Sequence, residues 1–232
     1  MECTSDPLSA RVKCYISITM KTDLEDASSV QTGRRTGRPL SFDRDVALTA
    51  AMHLFWRHGY EATSVAELTQ AMGITPPSLY GAFGDKRRLF LEAVDRYLGG
   101  GAAAVVRTIN DAGTGYDAAR ELLTAAALGD TGDDTPPGCL LASSLVSSSA
   151  VAAEVREDLA EIRRRIEAAL RARIEDDIHA GRLASHCDAE VLAGHVFAVV
   201  QGMSTLAKDG AGRDKLLRIV DQTMAGWPAS SR

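Results

Sequence analysis

The stretch from Ser64 to Phe90, SVAELTQAMGITPPSLYGAFGDKRRLF, constrains this chain more than any other. It packs three helix starts and a glycine turn into 27 residues. Ser64, with Glu67 three residues on, forms a capping box: hydroxyl and carboxylate each satisfy an amide that lacks an intrahelical acceptor. Val65, Leu68 and Met72, with Ala71, recur at helical spacing and predict one buried face. Gly73 stands where a positive φ is wanted after a helix end, and Ile74 plugs the turn. Thr75 reads as the next N-cap. Pro76 suits the first helical position, and Pro77 is tolerated because first-turn amides have no intrahelical partner to lose. Leu79 and Phe83, at i and i+4, anchor this helix inward. That leaves Pro76, Pro77, Ser78 and Gly81 facing outward, small enough for close approach to base edges. Asp85 caps a further helix, with Lys86 in its first turn. One short helix bracing another across a tight turn is the pattern of a helix-turn-helix, whose second helix enters the DNA major groove.

The preceding segment completes the unit. Asp43 reads as an N-cap, with Phe42 before it and Ala47 as a weak hydrophobic staple. Val46, Ala47, Ala50, Ala51, Leu54 and Phe55 form a predicted apolar stripe that Gly59 ends. Taken together, Phe55, Gly59-Tyr60, Thr63-Ser64, Gly73-Ile74, Leu79-Tyr80, Phe83, Lys86 and Leu89-Phe90 resemble the TetR family of one-component transcriptional regulators over about residues 38 to 98. The resemblance implies that Tyr80 and Lys86 grip phosphates and that Ser64 and Thr75 meet the DNA backbone at helix starts. It also implies that Pro76, Pro77 and Ser78 read bases. The chain departs from the family pattern at Gly81 and Ala82, where larger polar or aromatic residues are common, so base preference is not transferable. From the residues alone, Tyr80 equally fits a cap on the domain core, and Lys86 a solvated charge.

Charge distribution agrees with a DNA-binding segment. Residues 34–98 carry 9 Lys or Arg against 7 Asp or Glu, whereas the whole chain has a net charge of −5. Arg34, Arg35 and Arg38 precede the first helix in a glycine-flanked cluster. Such an arm lays arginines along phosphates or into a minor groove; a plain solvated linker is the other reading. Residues 1–33 read as a flexible extension, with translation starting at Met1 or at Met20. The apolar run near Cys14 to Met20 is too short for a signal or a membrane span, and no other apolar run of about 18 residues stands out. The expected location is therefore cytoplasmic, with no membrane partner.

The chain is expected to be all-α, with residues 34–98 as a three-helix helix-turn-helix domain and residues 99–232 as a larger helical domain. Gly99-Gly100-Gly101 is a hinge or a helix end. Helices are predicted at about 116–128, 139–147, 151–180, 188–207 and 212–226. The 151–180 helix buries Val155, Leu159, Ile162, Ile166, Leu170, Ile174 and Ile178. The next buries Val191, Leu192, His195, Val196, Val199, Val200 and Met203. The resemblance implies a homodimer through helices 188–207 and 212–226, an effector bound in this domain, and a palindromic double-stranded DNA operator as partner. Repression relieved by a small hydrophobic effector is the expected behaviour; a constitutive DNA-binding protein without effector is the alternative.

Effector candidates are Tyr116, Cys139, Leu140 and Phe197, around a mostly aliphatic pocket. The four cysteines, Cys3, Cys14, Cys139 and Cys187, form no CxxC pair. Cys139 stands at a predicted helix start, where the dipole lowers a thiol pKa. It is either a redox or electrophile sensor or a small buried hydrophobe. The spacings of His179, His186, Cys187 and His195 match no zinc pattern. No cofactor or metal is expected, and no catalytic motif suggests an enzyme.

Overall fold

A computed structural model describes residues 42–143 and 150–228. Asp43 starts α1 (Arg44–Ala62) by accepting from the amides of Asp45 and Val46 at 2.9 and 3.1 Å. Gly59, at φ 78°, interrupts that helix as expected. The buried face of α1 is centred on Leu48, Ala51, Met52 and Phe55, one step round from the predicted stripe. Val46 is consequently turned out, with 67% of its surface exposed. After α2 (Val65–Met72), α3 (Pro76–Phe83) and α4 (Lys86–Tyr97) come α5 (Gly101–Asp111) and α6 (Gly115–Gly129). Then follow α7 (Leu140–Ser143), α8 (Ala150–His179), α9 (Ala189–Lys208) and α10 (Arg213–Ala225). All regular elements among the described residues are helices. Gly99, Gly100 and Gly101 all have positive φ, so the α4–α5 junction is a clean break in the helix.

The first helices pack as a small bundle, α1 against α2 and α4, around Phe55, Leu68, Leu79, Phe83, Leu89 and Phe90. Phe90 stands edge-on to both Phe55 and Tyr60, with ring centres 5.0 and 5.2 Å apart, an arrangement that adds to simple burial. In the larger part, α8 packs on α5, α6 and α9, and α6 on α9 and α10. The core runs without interruption from Ala47 to Met224, so the two parts share one apolar interior.

Two polar ties cross between them. Arg87 of α4 donates from Nε and Nη2 to the two carboxylate oxygens of Asp158 on α8, both at 2.9 Å, a forked geometry. Trp56 of α1 donates from Nε1 to the Gly138 carbonyl at 2.5 Å. Gly138 has φ 79°, and a Cβ there would lie 2.7 Å from Lys208 Cγ, so only glycine brings this carbonyl to Trp56.

Two expectations for α9 do not hold: Val191 is 64% exposed and His195 is also exposed. The helix buries Ala193, Val196 and Met203 and leaves its other side open. By length and composition α9 is apolar enough to cross a membrane, contrary to the expectation that no such run exists. A helix with one face in a core and the other laid against a partner helix meets the same criterion.

Candidate nucleic-acid interface and effector cavity

The helix-turn-helix is assembled by its caps. Ser64 Oγ accepts from the Glu67 amide at 3.2 Å, and Glu67 Oε2 accepts from the Ser64 amide at 2.7 Å, closing the predicted box. That backbone bond holds the Glu67 carboxyl below its usual pKa. Gly73 adopts φ 65°, ψ 30°, and Ile74 N–H closes back on the Thr69 carbonyl at 3.0 Å, which turns the chain sharply into α3. Thr75 Oγ1 caps α3 through the Ser78 amide at 3.4 Å and also shares a 2.9 Å hydrogen bond with Ser78 Oγ.

The inner face of α3 is fixed by Leu79 and Phe83, both buried, and Arg44 braces its end from α1. The Arg44 guanidinium lies 4.4 Å from the Phe83 ring centre, donates to the Ala82 carbonyl, and pairs with Glu92 at 2.6 Å. What remains outward is the predicted set. Ser64, Thr75, Pro76, Pro77 and Gly81 are exposed, Ser78 is half-buried, and Tyr80 is 52% exposed. A Cβ at Gly81 would meet nothing within 4 Å, so the helix surface there is flat and open. Tyr80 is therefore not a cap on the core; its phenol stands at the surface.

Because Pro76 and Pro77 have no amide and Ser78 gives its own to Thr75, the start of α3 recognises a ligand through side chains and close approach rather than through a nest of N–H groups. Lys86 is half-buried with its ammonium 4.5 Å from the Tyr60 ring centre. Burial lowers its pKa, and Glu61 and Glu67 oppose that shift. Lys86, Arg87 and Arg88 occupy the first turn of α4, which has no acidic residue. Three cations at the positive end of a helix dipole are unfavourable unless an anion lies across them. Arg87 has its anion in Asp158, leaving Lys86 and Arg88 for one outside. Arg34, Arg35 and Arg38 lie outside the described residues.

Behind this surface sits a cavity of about 120 Å³. Trp56 of α1 and Tyr97 of α4 form one wall; Leu122, Leu141, Ile166 and Phe197 form much of the rest. Its lining also holds Asp130, Thr135, Cys139 and Arg163. Of the effector candidates, Cys139 and Phe197 line it. Leu140 is fully buried away from it, with Leu141 in its place, because the short α7 turns the neighbouring side chain inward. Tyr116 is displaced from it as well, with its ring edge-on to Trp227 at 6.1 Å.

Cys139 precedes α7, but the expected dipole effect does not prevail. Burial pushes its thiol pKa up, and the neighbouring Asp130 pushes it further. Asp130 itself is 1% exposed, and burial raises its carboxyl to about 7 against the partial opposition of Lys208. Sequence reasoning missed Trp56, Arg87 and Asp130. Trp56 and Arg87 look like a core aromatic and one of three adjacent surface cations, and their partners lie 82 and 71 residues away. Asp130 sits in a Gly/Asp/Pro-rich run that carries every mark of an ordinary loop.

Residues 47–93 match the domain of bacterial regulatory proteins of the tetR family, and residues 115–222 match the tetracyclin repressor-like C-terminal domain. The HTH-type transcriptional repressor ComR of Escherichia coli (strain K12) is 36% identical over 193 residues, spanning 83% of this chain and 92% of its own. The repressor BdcR of the same strain is 44% identical over 78 residues, 34% of this chain and 40% of its own. Among solved structures, a cysteine mutant of the TetR family regulator CifR, complexed with 26-base-pair operator DNA, superposes with a TM-score of 0.75. It is 39% identical and covers 82% of this chain and 100% of its own. With both parts matched, and one repressor matched over most of each chain, this chain belongs to the TetR family of DNA-binding transcriptional regulators.

Proposed function

We propose that this chain is a repressor that binds a two-fold-symmetric operator as a homodimer and is released by a small molecule held in the cavity behind Trp56. The observation that carries the DNA part is the outward face of α3. Tyr80 and the Pro76-Pro77-Ser78 start are exposed, while every large apolar residue of that helix is turned inward. ComR is a repressor and CifR is seen on operator DNA, which supports the same use of the matching helices here. In this reading Pro76, Pro77, Ser78 and Gly81 lie against base edges. Ser64, Thr75, Tyr80 and Lys86 meet phosphates, and Arg34, Arg35 and Arg38 follow the backbone or minor groove.

Release works through α1. An effector changes operator affinity only by as much as it prefers one conformer over another. Trp56 is placed to report that preference, since its ring walls the cavity and its helix packs directly on α2 and α4. The forked Arg87–Asp158 pair holds α4 to α8, so a shift of α8 carries α4 and the helix-turn-helix with it.

A gel shift on the DNA upstream of the chain's own gene tests the reading. The full chain is expected to bind, with affinity falling steeply as salt rises. Tyr80→Ala should weaken binding at least about tenfold, as a hydrogen bond to a charged group contributes about 1.5–3 kcal/mol. Thermal unfolding of that variant should be unchanged, because the side chain is exposed. Equal affinity of wild type and Tyr80→Ala would remove Tyr80 from the interface. Deleting residues 1–38 with no change in affinity or salt slope would remove the arm.

A further inference from the structure

The cavity behind Trp56 is apolar except at one end, and that end is chemically unfinished. Asp130 is almost wholly buried there, and its Oδ2 has no hydrogen-bond partner among the described residues; neither has Thr135 Oγ1. Both residues line the cavity. Asp130 already serves the loop through its main chain, since its carbonyl accepts from Gly138 N–H at 2.9 Å and its amide donates to Ala126. The side chain adds nothing to that closure. A buried carboxylate oxygen without a donor costs stability, and an alanine or leucine would fill the place without that cost. Two oxygens bordering one small void ask for a donor from outside the chain.

We propose that this cavity binds a small molecule with a compact apolar body and one hydrogen-bond-donating head, a hydroxyl or an amine, and that Asp130 and Thr135 hold the head. This deepens the effector part of the proposed function and rests on it. The body is bounded by volume. A cavity of about 150 Å³ takes benzene, so one of this size takes a molecule of about six non-hydrogen atoms. Leu122, Ile166 and Phe197 supply dispersion contact to it, and the Trp56 ring closes one side.

The head is set by charge and by what is already engaged. Arg163, the other charged group in the lining, spends a guanidinium N–H on the Leu141 carbonyl at 3.2 Å. Lys208 acts on Asp130 from beyond the wall and favours its ionised form. Above neutral pH the carboxylate is thus an acceptor with an open lone pair, while the Cys139 thiol, raised by burial, keeps its proton. A donor completes this end; an acceptor-only or anionic head leaves Asp130 unsatisfied or repelled.

Four probes of six non-hydrogen atoms each separate the possibilities: cyclopentanol, cyclopentylamine, cyclopentanone and butyrate. The full chain carrying Trp227→Phe leaves Trp56 as its sole tryptophan, because the chain has two. Titration at pH 8 should change Trp56 emission with cyclopentanol and cyclopentylamine, at concentrations at least tenfold lower than with cyclopentanone or butyrate. Asp130→Ala should weaken the two donors at least tenfold and leave cyclopentanone unchanged. Thr135→Val, which keeps shape and removes only the hydroxyl, should weaken them in the same direction. Equal binding of all four probes, no binding of any, or donors indifferent to both substitutions would overturn the inference. Gel shifts of the probe-free chain run beside the titrations keep the readings apart. Operator binding with no probe binding overturns the cavity inference alone. Probe binding that never releases the operator upholds the cavity site and overturns effector release.

Discussion

At the scale of single residues, Asp130 makes the sharpest claim on solution behaviour. Its carboxyl is near 3.8 in an unfolded chain and is raised to about 7 in the fold by burial. Between those values the folded chain holds a proton that the unfolded chain has released. Stability therefore falls as pH rises from about 4 to about 7 and is level on either side. A shift of about three pKa units corresponds to about 4 kcal/mol at the upper limit. Asp130→Asn removes the titrating group, so its stability should exceed the wild type's by a margin that grows from pH 5 to pH 8. Thermal unfolding of both chains across that range measures the difference directly, and other titrating groups cancel between them. A constant margin would mean that the carboxyl titrates at its ordinary value. Cys139 beside it illustrates the same force. The helix start expected to lower the thiol pKa is four residues long in the described chain and is outweighed by enclosure.

At the scale of elements, the caps govern the helix-turn-helix, and they are the part most readable in the sequence. Ser64, Thr75, Asp85 and Asp188 each cap the helix assigned to them, and Gly73 takes the left-handed turn. Caps are local: hydroxyl and amide lie within three residues, so sequence spacing suffices to place them. Ser64→Ala should cost about 1 kcal/mol by opening both arms of the capping box. It should also raise the Glu67 pKa back toward its ordinary value, since the Ser64 amide is the main cause of the shift. Urea unfolding measures the first effect, and a carboxylate NMR titration the second. An unchanged Glu67 titration would show that the box is not formed in solution. The element faces were less legible. Period alone put Val46, Val191 and His195 inside, whereas packing partners hundreds of atoms away decide which side of a helix is covered. The cavity was least legible of all, because its wall draws on α1, α4, α6, α8 and α9 together. No local pattern announces that Trp56 and Asp130 will border one void.

At the scale of the whole molecule, the open side of α9 bears on how two chains meet. Val191, His195, Ala198, Gly202 and Thr205 are all exposed, and their spacings of four and three residues put them on one stripe. Apart from His195 they are short side chains, which let a second helix approach closely. The outward face of α10 instead carries Arg213, Asp214, Lys215, Arg218 and Asp221, so α9 should supply the close contact of a dimer and α10 its margin. In a two-fold pairing each stripe residue meets its own stripe in the partner. Ala198→Arg would then bring two guanidiniums and their bulk into the same contact from both sides. Within one chain the substitution falls on an exposed position, so its fold should be unharmed, within about 0.5 kcal/mol. Sedimentation equilibrium should show wild type at the mass of two chains and Ala198→Arg shifted toward one. Operator affinity should fall with it, because a dimer sets its two recognition helices about 34 Å apart and a single chain engages one half-site only. Circular dichroism separates this outcome from unfolding. Should the variant keep both the dimer mass and the wild-type spectrum, the chains pair through a different face. The operator geometry would then have to be built from that face instead.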